Sequence, residues 1–269
     1  MRRSDLRDRG WGIGDRGGDR ISRLPNPSIS VFFPCYNDGK TIGELVVEAE
    51  RQLQQLTGDY EVIVVNDGSD DDSAGVLRDL AARMPRLTVI THEKNRGYGG
   101  ALRSGFAAAT KDLIFYTDGD GQYDVRELPV LLMLLTDDTD FVNGIKMTRQ
   151  DPAYRVHAGN LHRFFMRWLF WLPIHDVDCD FRLIRRRVLE GIDLRSTSGS
   201  ICVELVKYAQ RAGAGFREVS VHHYARKWGE SQSFKPGRIL QTYLHLAVIW
   251  FELMIVDKIR RNPSARIAA

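Results

Sequence analysis

At 269 residues, 43% hydrophobic and 27% charged, the chain has the make-up of a globular protein large enough to bury a full core. A formal net charge of +3 is too small to argue for a nucleic-acid partner. The cysteines, Cys35, Cys179 and Cys202, are odd in number and widely spaced with no CxxC pair, which argues against a disulfide framework or a zinc site and for reduced thiols in a cytosolic protein.

Residues 1–27 are rich in Arg, Asp and Gly, nearly without aliphatics, and lack the apolar h-region of a signal peptide. They are expected to form a disordered leader, whose arginines could touch anionic lipid. Order is expected from Ser28. Ile29–Phe33 reads as a buried strand closed by Pro34, and Thr41 with Glu44 reads as a capping box opening a helix over Ile42–Leu56. Glu61–Val65 is a β-branched strand with a turn at Asn66–Ser69, followed by a helix over Ser73–Met84. Thr88–His92 is the third strand, and a glycine-rich start leads into an alanine-rich helix over Gly97–Thr110. Leu113–Tyr116 is the fourth strand, Val125–Thr136 is helical, and Asp140–Asn143 is the fifth strand.

Short strands alternating with helices predict an α/β fold, a mainly parallel sheet with helices on both faces. Ligands of such sheets bind beyond the carboxyl ends of the strands. Tyr36, Asn37 and Asp38 follow the first strand, Asn66 and Asp67 the second, Asn95, Arg96 and Gly97 the third, and Asp118 and Asp120 the fourth. Four loops therefore converge on one crevice. By itself the run FYTDGDGQYD (Phe115–Asp124) reads as either a solvated acidic turn or a site for a divalent cation with oxygen ligands. The convergence favours the cation.

Taken in order, FFPCYND, EVIVVNDGSDDDS, HEKNRGYGGALRSGF and FYTDGDGQYD resemble the inverting family 2 glycosyltransferases of GT-A fold, above all their polyprenyl-phosphate branch, and the resemblance runs over roughly Ser28–Phe234. It implies that Pro34, Tyr36 and Asn37 hold the base and ribose of a nucleotide sugar, that Asp67 recognises the base, and that Gly97 and Gly99, in a loop shaped by Asn95 and Arg96, allow close approach to the donor. It also implies that Asp118 and Asp120 form the DxD pair binding the diphosphate through Mg²⁺ or Mn²⁺, with Gln122 a further metal contact. The physical logic stands beside the likeness: a diphosphate leaving group needs its charge stabilised as the glycosidic bond breaks, and a shared cation does so as a Lewis acid.

The second half bears on the acceptor. Lys146, Arg149, Arg155 and Arg163 flank the donor crevice and suit an anionic group. The resemblance assigns the acceptor phosphate to Lys146, Arg155 and Arg163; a solvated basic loop is the competing reading. In DVDCDFR (Asp176–Arg182), Asp178 is a candidate sugar contact, Cys179 a packed thiol, and Asp180 stands where relatives often have Gly. Glu204 is either an acceptor-side acid or a structural helix-end residue. His223, Arg226, Gly229 and Ser231 match a late loop that closes on the donor pyrophosphate in relatives, which implies donor contacts for Arg226 and Ser231.

Leu161–Leu172 is unusually aromatic, with Arg163 and Arg167 on one helical face, and suits a helix in a membrane interface or one packed on the sheet. Residues 235–269 are expected as a C-terminal amphipathic helix and tail. Gln241, His245 and Glu252 share a polar sector that argues against a span. With residues 28–234 as the catalytic domain, the expectation is a metal-dependent transferase moving a hexose from UDP-glucose or GDP-mannose to a polyprenyl phosphate. It would be cytoplasmic and peripheral on the inner face of the plasma membrane, with a homo-oligomer or membrane partner as a further option. The alternatives are a soluble or glycan acceptor, or a non-catalytic nucleotide-sugar-binding protein.

Overall fold

The structure is a computed structural model that describes residues 26–147, 153–228 and 236–256, with the side chains at 153–158, 160, 236, 238, 239 and 256 outside the description. The predicted alternation is present near its expected boundaries: β1 (Ile29–Cys35), α1 (Ile42–Leu56), β2 (Tyr60–Asn66), α2 (Ser73–Ala81), β3 (Leu87–Thr91), α3 (Tyr98–Ala108), β4 (Leu113–Thr117), α4 (Leu128–Met133) and β5 (Phe141–Lys146). There follow α5 (Ala153–Phe170), β6 (Phe181–Arg185), α6 (Arg186–Leu189), α7 (Ile201–Arg211), β7 (Phe216–Val221) and α8 (Pro236–Trp250), which runs into a π-helical turn, Phe251–Val256.

Two local expectations are corrected. Thr41 makes no capping hydrogen bond; its hydroxyl instead lies 2.9 Å from the carbonyl of Gly119 and 3.1 Å from that of Asp38, tying the first loop to the acidic turn. The expected helix over Val125–Thr136 is a 3-10 turn at Val125–Glu127 and a short α4, with the Asp124 side chain accepting from the Arg126 N–H at the entrance.

The strands form one sheet of seven in the order β3-β2-β1-β4-β6-β5-β7. All neighbours are parallel except β6, which runs antiparallel to both β4 and β5. Strand residues alternate between two cores. Val31, Phe33, Val62, Val64 and Phe115 face α1 and α2 in one, while Phe32, Ile63, Ile114 and Tyr116 face α3, α5, α7 and α8 in the other. Burial on both faces is why these strands read as continuous apolar runs.

The register explains where the site must lie. Cys35 pairs with Asn66 and Asn66 with Thr91, so the first three strands end level. The turn after β4 hangs from β1 through Gly119 N–H to Pro34 C=O (3.1 Å). Because β6 is antiparallel and Phe181 pairs with Thr117, its entry residue Asp180 arrives at the edge where β4 delivers Asp118. The parallel strands β5 and β7 bring Lys146 and the segment after Val221 to the same edge.

Candidate active site

The acidic turn holds its carboxylates in different ways. Asp118 Oδ1 accepts from the Tyr98 hydroxyl at 2.8 Å. Asp120 Oδ1 accepts from Gln122 N–H at 3.0 Å, and its Oδ2 takes Arg226 Nη2 at 2.7 Å. Burial, followed by the charges of Asp180 and Asp120, pushes the Asp118 carboxyl well above the ordinary carboxylate range, against the Tyr98 hydrogen bond and Lys146. Burial likewise raises Asp180, although Arg182 and Lys146 oppose it. Asp38 is pushed up to about 6, by burial first, with Arg226 opposing and Asp120 adding to the rise.

Crowded, partly buried carboxylates of one sign draw cations, and here Arg226 already lies against Asp120 and Asp38. An oxygen-only donor set suits a hard ion of the Mg²⁺ or Mn²⁺ kind. Among the described residues no group of three or more His, Cys, Asp or Glu side chains could hold a metal ion. The residues fit an ion that takes its remaining ligands from a bound diphosphate.

On the donor side, Asp67 is buried at the end of β2. Its Oδ1 is shared by His92 Nδ1 (2.6 Å) and Arg96 N–H (2.8 Å), and the far ring nitrogen of His92 meets Ser104 Oγ at 2.8 Å. Asn95 donates to the Asp67 carbonyl (3.2 Å) and accepts from Gly97 N–H (3.1 Å). Asn37, at φ 59°, accepts from Asp70 N–H at 2.8 Å and donates its own N–H to Ser69 Oγ at 3.0 Å, so it locks the first loop to the second. Pro34 is buried and Tyr36 half-buried at the same rim.

Gly97 and Gly99 face protein. Gly97 sits at φ 79°, and a Cβ there would strike the Thr197 carbonyl oxygen, while one on Gly99 would strike that of Ser196. The 195–197 segment is in turn pinned by Glu204, whose carboxylate accepts from Arg195 N–H (3.0 Å) and Ser196 N–H (2.9 Å). Glu204 is therefore a structural residue at the start of α7.

On the other side, Lys146 Nζ donates to the Asp178 carbonyl at 2.6 Å and Arg163 Nη1 pairs with Asp176 Oδ2 at 2.7 Å. His162 Nε2 lies 3.6 Å from Asp178 Oδ1, and its Nδ1 meets the Tyr243 hydroxyl of α8 at 3.1 Å. Burial favours a neutral Asp178, but His162, Lys146 and Arg163 outweigh it and hold the carboxyl below its usual range. Arg155 lies on α5 with its side chain outside the described residues, and Ser231 and Gly229 are outside them altogether. Gln122 gives its amide N–H to the Tyr224 carbonyl at 2.9 Å, which docks the late loop on the acidic turn. Cys179 is a buried thiol pushed up to about 12 by burial, in keeping with a packed role.

Three further residues belong to the site. Asp38 and Asp180 join Asp118 and Asp120. Arg182, fully buried behind them, donates to Asn143 Oδ1 (2.8 Å), the Tyr116 hydroxyl (2.6 Å) and the Val177 carbonyl. Only recognition of FRLIR as a strand between β4 and β5 would have brought Asp180 and Arg182 here.

Residues 30–193 match the profile of glycosyl transferase family 2, and the chain belongs to that family. It is 31% identical over 207 residues to the undecaprenyl-phosphate 4-deoxy-4-formamido-L-arabinose transferase of Enterobacter sp. (strain 638), covering 76% of this chain and 62% of that protein. To the transferase of the same name from Serratia proteamaculans (strain 568) it is 31% identical over 216 residues, covering 79% and 65%. The chain thus spans less than two thirds of the length of these relatives. Among solved structures it resembles glucosyl-3-phosphoglycerate synthase from Mycobacterium tuberculosis in complex with Mn²⁺ and UDP-glucose, with TM-score 0.64, 17% identity, and 89% and 84% of the two chains covered. The complex of that enzyme with Mn²⁺, UDP and glucosyl-3-phosphoglycerate superposes at TM-score 0.61, with 17% identity and 90% and 84% covered. The architecture is the GT-A fold.

Proposed function

We propose that the chain is an inverting glycosyltransferase that moves a sugar from a nucleotide sugar to a polyprenyl phosphate at a membrane surface. The observation that carries this reading is the meeting of Asp118, Asp120, Asp180, Lys146 and Arg226 at one edge of the sheet. The polyprenyl-phosphate acceptor is supported by the names of the relatives. The donor diphosphate lies along the loops after β1, β3 and β4, with Asp67 and the first loop under the nucleoside. Asp118, oriented by Tyr98, and Asp120 would hold Mg²⁺ or Mn²⁺ against the diphosphate, with Gln122 beside them. When bound, the ion supplies Lewis-acid stabilisation of the departing diphosphate.

Arg226 adds a cationic hydrogen-bond fork on the same oxygens, and Ser231 follows on its loop. Lys146, Arg155 and Arg163 orient the acceptor phosphate, whose oxygen is already ionised and attacks the anomeric carbon opposite the leaving group. Its configuration inverts. Asp178, at the border of the two halves, contacts the sugar.

The surface beside the acceptor cluster suits a bilayer. Trp168 (68% exposed) stands out from α5 with Leu161, Phe164 and Phe165, and Trp171 (72%) from the turn just after it. Leu240, Tyr243, Leu244, Val248 and Phe251 stand out from the neighbouring C-terminal helix, which buries Leu246, Ile249 and Leu253 in the core. Trp250 Nε1 bonds the Leu169 carbonyl (3.1 Å) and joins the two helices into one platform. Among the described residues no helix is long and apolar enough to cross a membrane; the platform fits attachment to one face, the cytoplasmic leaflet in this proposal.

Radiolabel transfer from UDP-glucose, GDP-mannose and a nucleotide-linked 4-formamido-arabinose to membrane lipid extract tests the reading, with Mn²⁺ or with EDTA. Label in lipid that is lost with EDTA and in Asp120→Ala is expected. Label confined to water-soluble product overturns the lipid acceptor, and full transfer in EDTA overturns the metal.

A further inference from the structure

Arg226 occupies the place where a cation is wanted. Its Nη2 lies 2.7 Å from Asp120 Oδ2 and its Nη1 3.6 Å from Asp38 Oδ1, so carboxylates from two different loops grip one guanidinium from a third. The grip is reinforced next door. Tyr224 N–H donates to the Gln122 carbonyl at 2.8 Å, Gln122 Nε2 returns a bond to the Tyr224 carbonyl at 2.9 Å, and Tyr123 and His223 form an antiparallel bridge. The 223–226 segment is therefore clamped over the acidic turn with its arginine on the carboxylate that a metal would use.

A guanidinium and a divalent ion compete for the same lone pairs, and charge-assisted hydrogen bonds are among the stronger contacts a protein makes. We propose that Arg226 is the resident counter-cation of Asp120 in the donor-free protein, anchored by Asp38. The metal then binds well only together with a nucleoside diphosphate, because the diphosphate takes the guanidinium off the carboxylates. The inference rests on the metal–diphosphate assignment of this site and adds to it an order of events: metal and donor enter as a pair, and the free protein holds metal poorly.

The test is Mn²⁺ binding to the full chain, read from the electron paramagnetic resonance of free Mn²⁺, with and without UDP. The wild type is expected to bind Mn²⁺ weakly alone and far more tightly with UDP. Arg226→Gln is expected to bind Mn²⁺ alone about tenfold or more tighter, the worth of a charge-assisted contact released, and Mn²⁺ with UDP more weakly than wild type. Arg226→Lys, which keeps the charge but not the fork, is expected to change both affinities in the same directions and guards against a folding defect in the first variant.

The opposite signs decide the matter. A variant that binds Mn²⁺ more tightly in both states reports only a remote positive charge and overturns the exchange, as does unchanged or weaker binding of Mn²⁺ alone. If the wild type binds Mn²⁺ in neither state, the metal assignment itself fails, and the exchange with it.

Discussion

Gly99→Ala tests the join between the donor loop and the 195–197 segment. An added Cβ would collide with the Ser196 carbonyl oxygen and sit 2.8 Å from its carbonyl carbon and 2.9 Å from that of Thr197. Carbon atoms pack at about 3.5–4.0 Å, so backbone has to retreat by more than half an ångström. Overpacking of this kind costs about 1–3 kcal/mol. The Gly99 N–H to Thr197 carbonyl bond, now 3.0 Å, is stretched in the same movement at about 1 kcal/mol. Alanine's better helix propensity returns up to about 1 kcal/mol. The net expectation is roughly 1–3 kcal/mol, a fall in melting temperature of about 3–10 °C. Thermal unfolding followed by circular dichroism measures it, with Gly58→Ala, where a Cβ meets nothing within 4 Å, as the control. A Gly99→Ala protein that melts with the control and the wild type would refute the claim that this close approach fixes the loop.

Arg182→Met strands the Asn143, Tyr116 and Val177 acceptors and removes the buried charge that opposes Asp180, so a loss of about 3–5 kcal/mol in urea unfolding is expected; a loss below 1 kcal/mol contradicts the network. At His162 burial works against the imidazolium, but the Asp178 carboxylate 3.6 Å away outweighs it despite Arg163, so its pKa stands above the ordinary value. Its stabilising contribution is then full below about 6.5, the unfolded value, and fades as pH rises through the folded one, so the stability gap to His162→Gln should close on going alkaline; a gap that widens is the wrong sign. Trp168→Ser with Trp171→Ser is expected to reduce vesicle co-flotation at least tenfold with the melting temperature unchanged, since both rings are mostly exposed; undiminished flotation removes the platform. Asp178→Asn takes a negative charge from beside His162 and Lys146, and the KM for the acceptor phosphate is expected to fall roughly fivefold, about 1 kcal/mol of screened attraction; a rise in KM would put the acceptor elsewhere.

The fold was legible wherever apolar runs were buried on both faces, as in β1, β2 and β4. It was not legible in β6 and β7. FRLIR carries arginines at its second and fifth positions and runs straight into two more, and FREVSV sets Arg217 and Glu218 side by side among half-buried residues, so neither presents an apolar block. Arg182 belongs in the sheet only because Tyr116 and Asn143, far away in sequence, supply its acceptors. Asp180 was visible as a departure from a familiar pattern, but its place beside Asp118 depends on the antiparallel register of β6. The meeting of the acidic turn with the loops after β1, β2 and β3 was legible because parallel strands deliver their following loops to one edge of the sheet. The glycines were legible as positions intolerant of a side chain, although the obstacle is the 195–197 backbone.

Counting cations along a loop misjudges the acceptor side for a related reason. Lys146 and Arg163 look like free positive charge in sequence, yet folding brings Asp176 and Asp178 against them from the segment before β6. Burial favours a neutral Lys146 amine, and the surrounding carboxylates of Asp176, Asp178 and Asp180 oppose it, so the amine stays charged among partners of opposite sign. Among the described residues, the buried Asp176 Oδ1 has no hydrogen-bond partner, and such an oxygen is costly to leave unmatched. Under the proposed acceptor assignment, a phosphate arriving here would compete with carboxylates already in place and gain by sharing their cations. Selectivity would then come from the shape of the Asp176–Asp178 loop and the hydrophobic platform beside it more than from net charge. An anion that cannot also bury an apolar chain on α5 and α8 has little to hold it, which favours a lipid phosphate over a small soluble one.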